Sequence, residues 1–576
     1  MTAPRWLNNY DEGVPSSLAP YPERSLTEYL REAAARWSDR PALIFKGASI
    51  SYLRLEEQSD ALAAAFEDMG IKRGDRVALC LPNCPQFVVA EFAAWKIGAI
   101  ACPFNPTYSE REMEDALRAT GAETVVVLNR FYDRIKRIQS RTSLKRVVAT
   151  NIKEYLPPLL RIAYTFVKEK EEGERIAITA GDYSFSRLLR RFKGRAPRGN
   201  AAMLDDPAVI LMSGGTTGTP KGVVGSHHGM VIAGHQLQAW LRPAMEPWTD
   251  TIMLPLPLFH TYGNTGVQSL AFINHNPIAL IPNPRDLREF LKDIMTVKPA
   301  FICTVPTLLN GIMNHPMARQ GKVDFRSIKL CFSGAAPLMA ETRKRFEDLT
   351  GGVIVEGYSL TEAQMAVVAN PVRGEKKLGS VGMPLPDVHV EILDDEGGAL
   401  AAGEVGEIVI RAPQVMQGYW EQPEQTGEML RAGRSGERLL YTGDLGYMDD
   451  DGYVFIVDRK KDLIKTCGFQ VWPREIEEVL STHPSVAECG VVGLPDQMRG
   501  EVVKAWIVLR ENSAATPSEL KSFCRDRLAH YKVPAKYEFV GELPKTQIGK
   551  VLRRVLREET DRTPEVESEP AAAEAR

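Results

Sequence analysis

No run of about 18 apolar residues occurs in the 576-residue chain, which excludes an α-helix that crosses a bilayer. The eight cysteines form no CxxC pair and no Cys/His cluster of metal-ligand spacing. The nearest two, Cys80 and Cys84, only flank a Pro-Asn turn. Neither a zinc site nor a disulfide framework is therefore expected, and reduced thiols in a cytoplasmic protein are. Positive charge is also lacking: the net charge of -3 argues against a nucleic-acid partner. Met1 to Asp11 carries no apolar signal core, and no internal repeat is visible. What remains is an ordinary globular balance, 44% hydrophobic and 25% charged, in a chain too long for one core.

From about residue 40 to 340, short apolar runs alternate with helical patterns. Arg76 to Leu81, Glu123 to Leu128, Ala208 to Met212, Pro277 to Ile281, Ala300 to Thr304 and Ile328 to Phe332 are continuous and β-branched. Such runs predict parallel strands buried on both faces, with helices such as Gln86 to Lys96 between them. Val388 to Val457 breaks the pattern with Gly- and Asp-rich turns, and predicts a small antiparallel or barrel-like unit. After Arg459 the pattern is α+β, with helices from Pro473 and from Ser518 to Ala529, and strands at Val486 to Val492 and Val502 to Leu509. The expectation is an α/β fold. A large N-terminal domain, 1–458, has parallel-rich sheets with helices plus a barrel-like subdomain. A small mobile α+β domain follows at 459–560, and 561–576 is an acidic, Ala/Pro-rich disordered tail. Ile152 to Glu172 mixes leucines, Ile162, Phe166 and Val167 with lysines and arginines. It reads as an amphipathic helix packed on its own domain, with an interfacial membrane helix as the alternative.

Several short motifs carry chemistry. Ser213, Gly214, Gly215, Thr216, Thr217, Gly218 and Lys221 follow a buried strand. Glycines let backbone N–H groups approach an anion, threonines add hydroxyl donors and the lysine adds charge, which suits a polyphosphate. The loop is no Walker motif, because no Ser or Thr follows the lysine. His260 ends Leu-Pro-Leu-Phe-His, where it is either a structural histidine or part of a site. Small residues at Gly334 and Ala335 leave room for a flat ligand. In Glu356-Gly357-Tyr358-Ser-Leu-Thr361-Glu362, Tyr358 offers an aromatic face, Thr361 a hydroxyl, and Glu362 a hard oxygen for Mg2+. Asp444 lies in a Gly-Asp turn and could accept from both hydroxyls of a vicinal diol. Arg459, Lys461, Lys465 and Gly468 form a basic block before a helix that opens on Pro473. Lys550 follows Gly549 within a basic cluster that, taken alone, reads as a solvated tail.

Taken in order, the motifs between about residues 25 and 556 resemble the acyl-adenylate-forming superfamily, and look similar to its bacterial long-chain fatty acyl-CoA synthetases. Serine at 359, where the family more usually has glycine, is a mild departure. The resemblance implies ATP, Mg2+ and coenzyme A as co-substrates and cofactor, and a fatty acid that becomes acyl-AMP and then acyl-CoA. It places the Ser213–Lys221 loop on the phosphates, Gly334, Ala335 and Tyr358 at adenine, and Glu362 on Mg2+. His260 falls beside the acyl and nucleotide pockets, Asp444 and Arg459 at the ribose, and Lys465 and Gly468 near nucleotide or coenzyme A. It makes Lys461 an interdomain hinge and Lys550 the catalytic lysine that bridges the carboxylate and α-phosphate. An aromatic or alicyclic acid–CoA ligase, an acyl-AMP ligase that loads a carrier protein, and a non-catalytic nucleotide or lipid binder are the alternatives. A cytoplasmic location with peripheral membrane contact fits the Ile152–Glu172 segment.

Overall fold

The computed structural model describes residues 4–198, 202–213, 221–336, 338–466, 469–496, 498–546 and 550–560. The chain divides into two compact units. The first comprises the residues up to 404 with 408–442 and 448–455, and the second 405–407, 443–447 and everything from 456. The expected tail at 561–576 lies outside the described residues.

Two large sheets organise the first unit. In one, Val353–Leu360, Leu330–Ser333, Phe301–Thr304, Ile252–Leu254, Ile278–Leu280 and Pro41–Phe45 are neighbours and run parallel. Antiparallel strands close both edges, Met365–Ala369 with Met383–Pro384 on one side and Ala48–Ser51 on the other. The second sheet runs parallel from Pro207–Ser213 through Ile100–Pro103, Arg76–Cys80, Thr124–Leu128 and Arg146–Thr150 to Tyr183–Ser184. Its strands are buried nearly throughout, which accounts for continuous rather than alternating apolar runs. The same physics makes the helix Pro85–Lys96 apolar all round, because every one of its residues is buried. Its one acid, Glu91, accepts 2.7 Å bonds from Asn264 Nδ2 and Gln268 Nε2, and burial pushes its pKa up to about 7.

Between 389 and 459 the strands His389–Leu393, Gly406–Arg411, Arg438–Met448 and Leu430–Ala432 make a five-stranded sheet, with Val454–Arg459 beside Arg438–Met448. In the second unit, Val486–Asp496 and Gly500–Leu509 form a long antiparallel hairpin, flanked by Ile464–Thr466, Phe469–Val471 and the parallel strand Lys536–Phe539. Helices Pro473–Ser481 and Pro517–Arg525 pack Ile476, Leu480, Leu520 and Cys524 against it. The second helix starts where Thr516 and Glu519 satisfy each other's backbone N–H groups, and it is shorter than the Ser518 to Ala529 expected. Of the eight cysteines, the seven described are unpaired thiols.

One segment departs from expectation. The helix in the Ile152–Glu172 stretch is confined to Pro158–Val167, and none of its residues is buried. It does not pack its apolar face on the domain. No helix among the described residues is long and apolar enough to cross a membrane.

Candidate functional site

In the first unit the glycine-rich loop joins two strands of an antiparallel hairpin, Pro207–Ser213 and Lys221–Ser226, with Ser213 opposite Lys221. Ser213 Oγ donates to the Lys221 carbonyl at 3.4 Å. The hairpin holds the two ends of the loop in fixed register, whereas a Walker loop leads from strand to helix. Gly214, Gly215, Thr216, Thr217 and Gly218 lie outside the described residues.

Lys221 leads to a residue that the motif reading missed. Its ammonium sits 4.8 Å from the centre of the Tyr419 ring. The Tyr419 hydroxyl donates to Glu362 Oε1 at 2.9 Å. Backbone bonds brace the three: Trp420 N donates to Gly222 O at 2.7 Å, and Met416 N to Glu362 O at 2.8 Å. Burial, and then the Glu362 charge, raise the Tyr419 pKa, so the phenol stays a proton donor to that carboxylate. A cation, a phenol and a carboxylate from three distant stretches of chain thus form one continuous arrangement. The only sequence signal for Tyr419 is an aromatic pair, Tyr419-Trp420, after Gly418 in a turn-rich region.

Gly334 and Ala335 follow the strand Leu330–Ser333, and Ala335 has a φ of 67°, rare for a residue with a side chain. Glu356, Gly357 and Tyr358 lie on the neighbouring strand Val353–Leu360. A Cβ on Gly357 would come within 2.5 Å of Phe332 Cζ, and one on Gly334 within 3.4 Å of the Tyr262 ring. Glu356 Oε1 accepts from Leu338 N at 3.3 Å. Thr361 opens a short 3-10 turn, Thr361–Ala363, that carries Glu362. His260 Nδ1 accepts from Tyr262 N at 3.3 Å, and its carbonyl accepts from Asn264 N. The first bond orients the imidazole just before the π-helix Tyr262–Gln268.

The second unit gathers the remaining residues. Asp444 is buried, and its Oδ1 pairs with Arg459 Nε at 3.0 Å. Lys461 and Lys550 both have pKa values lowered to about 8. Burial of each ammonium is the largest cause and the Arg459 guanidinium the next, with Asp444 opposing it. Each residue as a whole stays exposed, and the neighbouring Arg459 charge adds to the depression. Lys550 is bonded to Thr546 through both of its backbone groups: its N–H donates to Thr546 Oγ1 at 3.1 Å, and its carbonyl accepts from Thr546 N at 2.8 Å. Lys465 is exposed on Ile464–Thr466, with its N–H bonded to Glu501 Oε2 at 2.7 Å, and Gly468 lies outside the described residues.

Arg553, expected in a solvated basic tail, is caged instead. Its guanidinium is forked onto Glu477, with Nη2 to Oε2 at 2.7 Å and Nε to Oε1 at 3.2 Å. It also meets Asp458 at 2.9 Å and Asp462 at 3.3 Å. Asp458 in turn accepts from Arg459 N and Arg474 N. This network ties the helix after Lys550 to the strand that carries Arg459 and to the helix Pro473–Ser481. Its signal in sequence is the acid-rich start of that helix, Glu475, Glu477 and Glu478.

A hairpin-borne glycine loop in a parallel-rich α/β unit, and a smaller α+β unit with a depressed lysine beside an Arg–Asp pair, define a nucleotide-handling enzyme. Residues 30–420 match the model of the AMP-binding enzyme family, residues 475–550 match its C-terminal domain, and the chain belongs to that family. More particularly, it is similar to the long-chain-fatty-acid–CoA ligase of Bacillus subtilis (strain 168), 38% identical over an alignment of 561 residues that covers 96% of this chain and 98% of that one. The ligase of the same name from Salmonella typhimurium is 36% identical over 558 residues, with 96% and 98% covered. Among solved structures, the anthranilate CoA ligase AuaEII in complex with anthranoyl-AMP superposes with a TM-score of 0.80 at 26% identity, covering 94% of this chain and 98% of that one.

Proposed function

We propose that the chain activates a fatty acid with ATP as acyl-AMP, releasing pyrophosphate, and passes the acyl group to coenzyme A with release of AMP. The observation that carries this reading is the Lys221–Tyr419–Glu362 arrangement beside the glycine loop. A carboxylate is a poor electrophile, since its charge repels nucleophiles and oxide cannot leave. Attack on the α-phosphate turns it into a mixed anhydride whose leaving group is AMP. Negative charge accumulates on the phosphates in that step, so catalysis is chiefly positioning and electrostatics.

Lys221 and the hydroxyls at Ser213 and beyond hold the β- and γ-phosphates. The strand pair with Gly334, Ala335, Glu356, Gly357 and Tyr358 receives adenine, and Gly357 keeps a side chain out of that surface. Asp444, steered by Arg459, accepts the ribose hydroxyls. Thr361 bonds a phosphate oxygen, and His260 borders the acyl and nucleotide pockets. Lys550 contacts the substrate carboxylate and the α-phosphate oxygens during adenylation, and Lys465 serves nucleotide or coenzyme A. Lys461, with the Asp458–Arg553–Glu477 network next to it, is the hinge region.

A metal at Glu362 fits Mg2+. Glu362 offers one hard carboxylate oxygen donor, and phosphate and water oxygens would fill other positions around the ion. When bound, Mg2+ supplies neutralisation of phosphate charge. Tyr419 fixes the orientation of the carboxylate that would hold it.

The deciding experiment is a panel of acids from acetate to palmitate together with benzoates, scored by coenzyme-A-dependent AMP release. Highest kcat/KM with a long-chain acid is expected. A preference for benzoates would contradict the fatty acid and leave the adenylate chemistry standing. Absence of pyrophosphate release with every acid would reduce the chain to a binder.

A further inference from the structure

The helix Pro158–Val167 presents its two faces in the opposite sense to an ordinary surface helix. At 100° per residue, Leu159, Ile162, Ala163, Phe166, Leu160 and Val167 share one broad arc, while Arg161, Tyr164, Thr165 and Lys168 occupy the other. In a packed amphipathic helix the first arc is buried. Here it faces water: Leu159 is 82% and Phe166 83% exposed, and Leu160, Ile162 and Val167 are exposed as well.

The polar arc is what attaches the helix to the protein. Tyr164 Oη donates to Glu172 at 2.9 Å, and Arg175 donates to the Thr165 carbonyl at 3.3 Å. Past the helix, the buried Glu169 accepts from Asn151 Nδ2 at 3.0 Å and from Lys153 Nζ at 2.6 Å. The carbonyl of Glu174 takes bonds from Asn129 and Asn151. Hydrogen bonds and ion pairs hold the segment with its apolar face outward.

Charge on this surface is mostly of one sign, with Glu171 the exposed acid that follows the basic stretch. Between 158 and 170 every exposed charge is positive, at Arg161, Lys168 and Lys170, and the single acid, Glu169, is buried beneath them. From 152 to 198 the sequence has eleven Lys and Arg against six Asp and Glu, within a chain whose net charge is -3.

We propose that Pro158–Val167 is a membrane-docking helix that lies flat on an anionic phospholipid surface. Its apolar face enters the boundary between headgroups and acyl chains, and the basic side chains at its C-terminal end, Lys168 and Lys170, reach phosphate groups. At ten residues the helix is about 15 Å long, too short to span and suited to lie in the interface. Basic flanks select an anionic surface over a neutral one and make the contact sensitive to salt.

The test uses the full-length protein and vesicles of phosphatidylcholine and phosphatidylglycerol, seven to three, against phosphatidylcholine alone. Wild type is expected to sediment with the anionic vesicles, and the double variant Leu159→Glu, Phe166→Glu to bind them about tenfold more weakly or not at all. The variant should keep the wild-type unfolding temperature and octanoate-dependent ATP–pyrophosphate exchange without vesicles, because both side chains lie outside the catalytic groups. In a second measurement, the indole fluorescence of Phe166→Trp should be quenched by brominated acyl chains beyond the wild-type background. Equal sedimentation of wild type and double variant, no sedimentation of either, or quenching of Phe166→Trp no greater than that of wild type would overturn the proposal. A dimer that the double variant dissolves, with no vesicle binding, would overturn it in favour of a second copy as the occupant. Loss of exchange in the wild type would strike at the proposed activity instead and leave the sedimentation result to decide the docking surface.

Discussion

Tyr419 and Lys550 carry the sharpest expectations for single side chains. A hydrogen bond to a charged group contributes about 1.5 kcal/mol or somewhat more, roughly tenfold in rate. Tyr419→Phe removes such a bond from Glu362 without emptying the space. ATP–pyrophosphate exchange titrated with Mg2+ should therefore be about tenfold slower and need more Mg2+ for half its maximum; an unchanged titration would count against Glu362 as the metal-holding carboxylate. For Lys550 the prediction concerns pH. With its pKa lowered to about 8, the ammonium is charged below that value and neutral above it. If its charge serves adenylation, kcat/KM for ATP holds steady below pH 8 and falls above it, since that ratio reports the free enzyme. Lys550→Arg should be slower yet lose this alkaline fall, because a guanidinium stays protonated. The same fall in both proteins would move the titrating group elsewhere, and Lys461, also lowered to about 8, is where to look.

At the scale of elements, two substitutions test what holds the pieces together. Gly357→Ala forces a methyl against the Phe332 ring and within 3.2 Å of the Val368 carbonyl, on a strand whose neighbours are fixed by pairing. Overpacking of this kind costs about 2 kcal/mol, measurable as a lower denaturant midpoint. Arg553→Ala strips the shared partner from Glu477, Asp458 and Asp462 and should cost about 3 kcal/mol, as breaking a largely buried ionic network does. Wild-type stability in that variant would mean that the cage is decorative. This is also the scale at which the sequence is most and least informative. Parallel strands were legible because burial on both faces leaves continuous apolar runs, as in Thr124–Leu128. The hairpin around the glycine loop was not, since a run such as Val209 to Met212 looks the same with a parallel or an antiparallel neighbour. Tyr419 and the Arg553 cage escaped for a similar reason. Each depends on residues dozens to hundreds of positions apart, and no local period records such meetings. The helix Pro158–Val167 shows a further limit: periodicity located its apolar face but could not say which way that face points.

For the whole molecule, the residues divide by step as well as by unit. The groups proposed to hold the phosphates and their Mg2+, Ser213, Lys221 and Glu362, belong to the first unit, whereas Asp444, Arg459, Lys461 and Lys550 belong to the second. Adenylation makes negative charge on phosphate that a lysine can stabilise. For thiolysis, which expels AMP from a carbonyl, no role is proposed for that lysine. The two half-reactions should therefore respond differently to one substitution. The most direct measurement compares them in Lys550→Ala: fatty-acid-dependent ATP–pyrophosphate exchange on one side, and acyl-CoA formation from supplied acyl-AMP and coenzyme A on the other. The account predicts that exchange drops by about a thousandfold, the scale set by loss of one preorganised electrostatic group, while thiolysis stays within a fewfold of wild type. Equal loss of both steps, or exchange that survives, would contradict it.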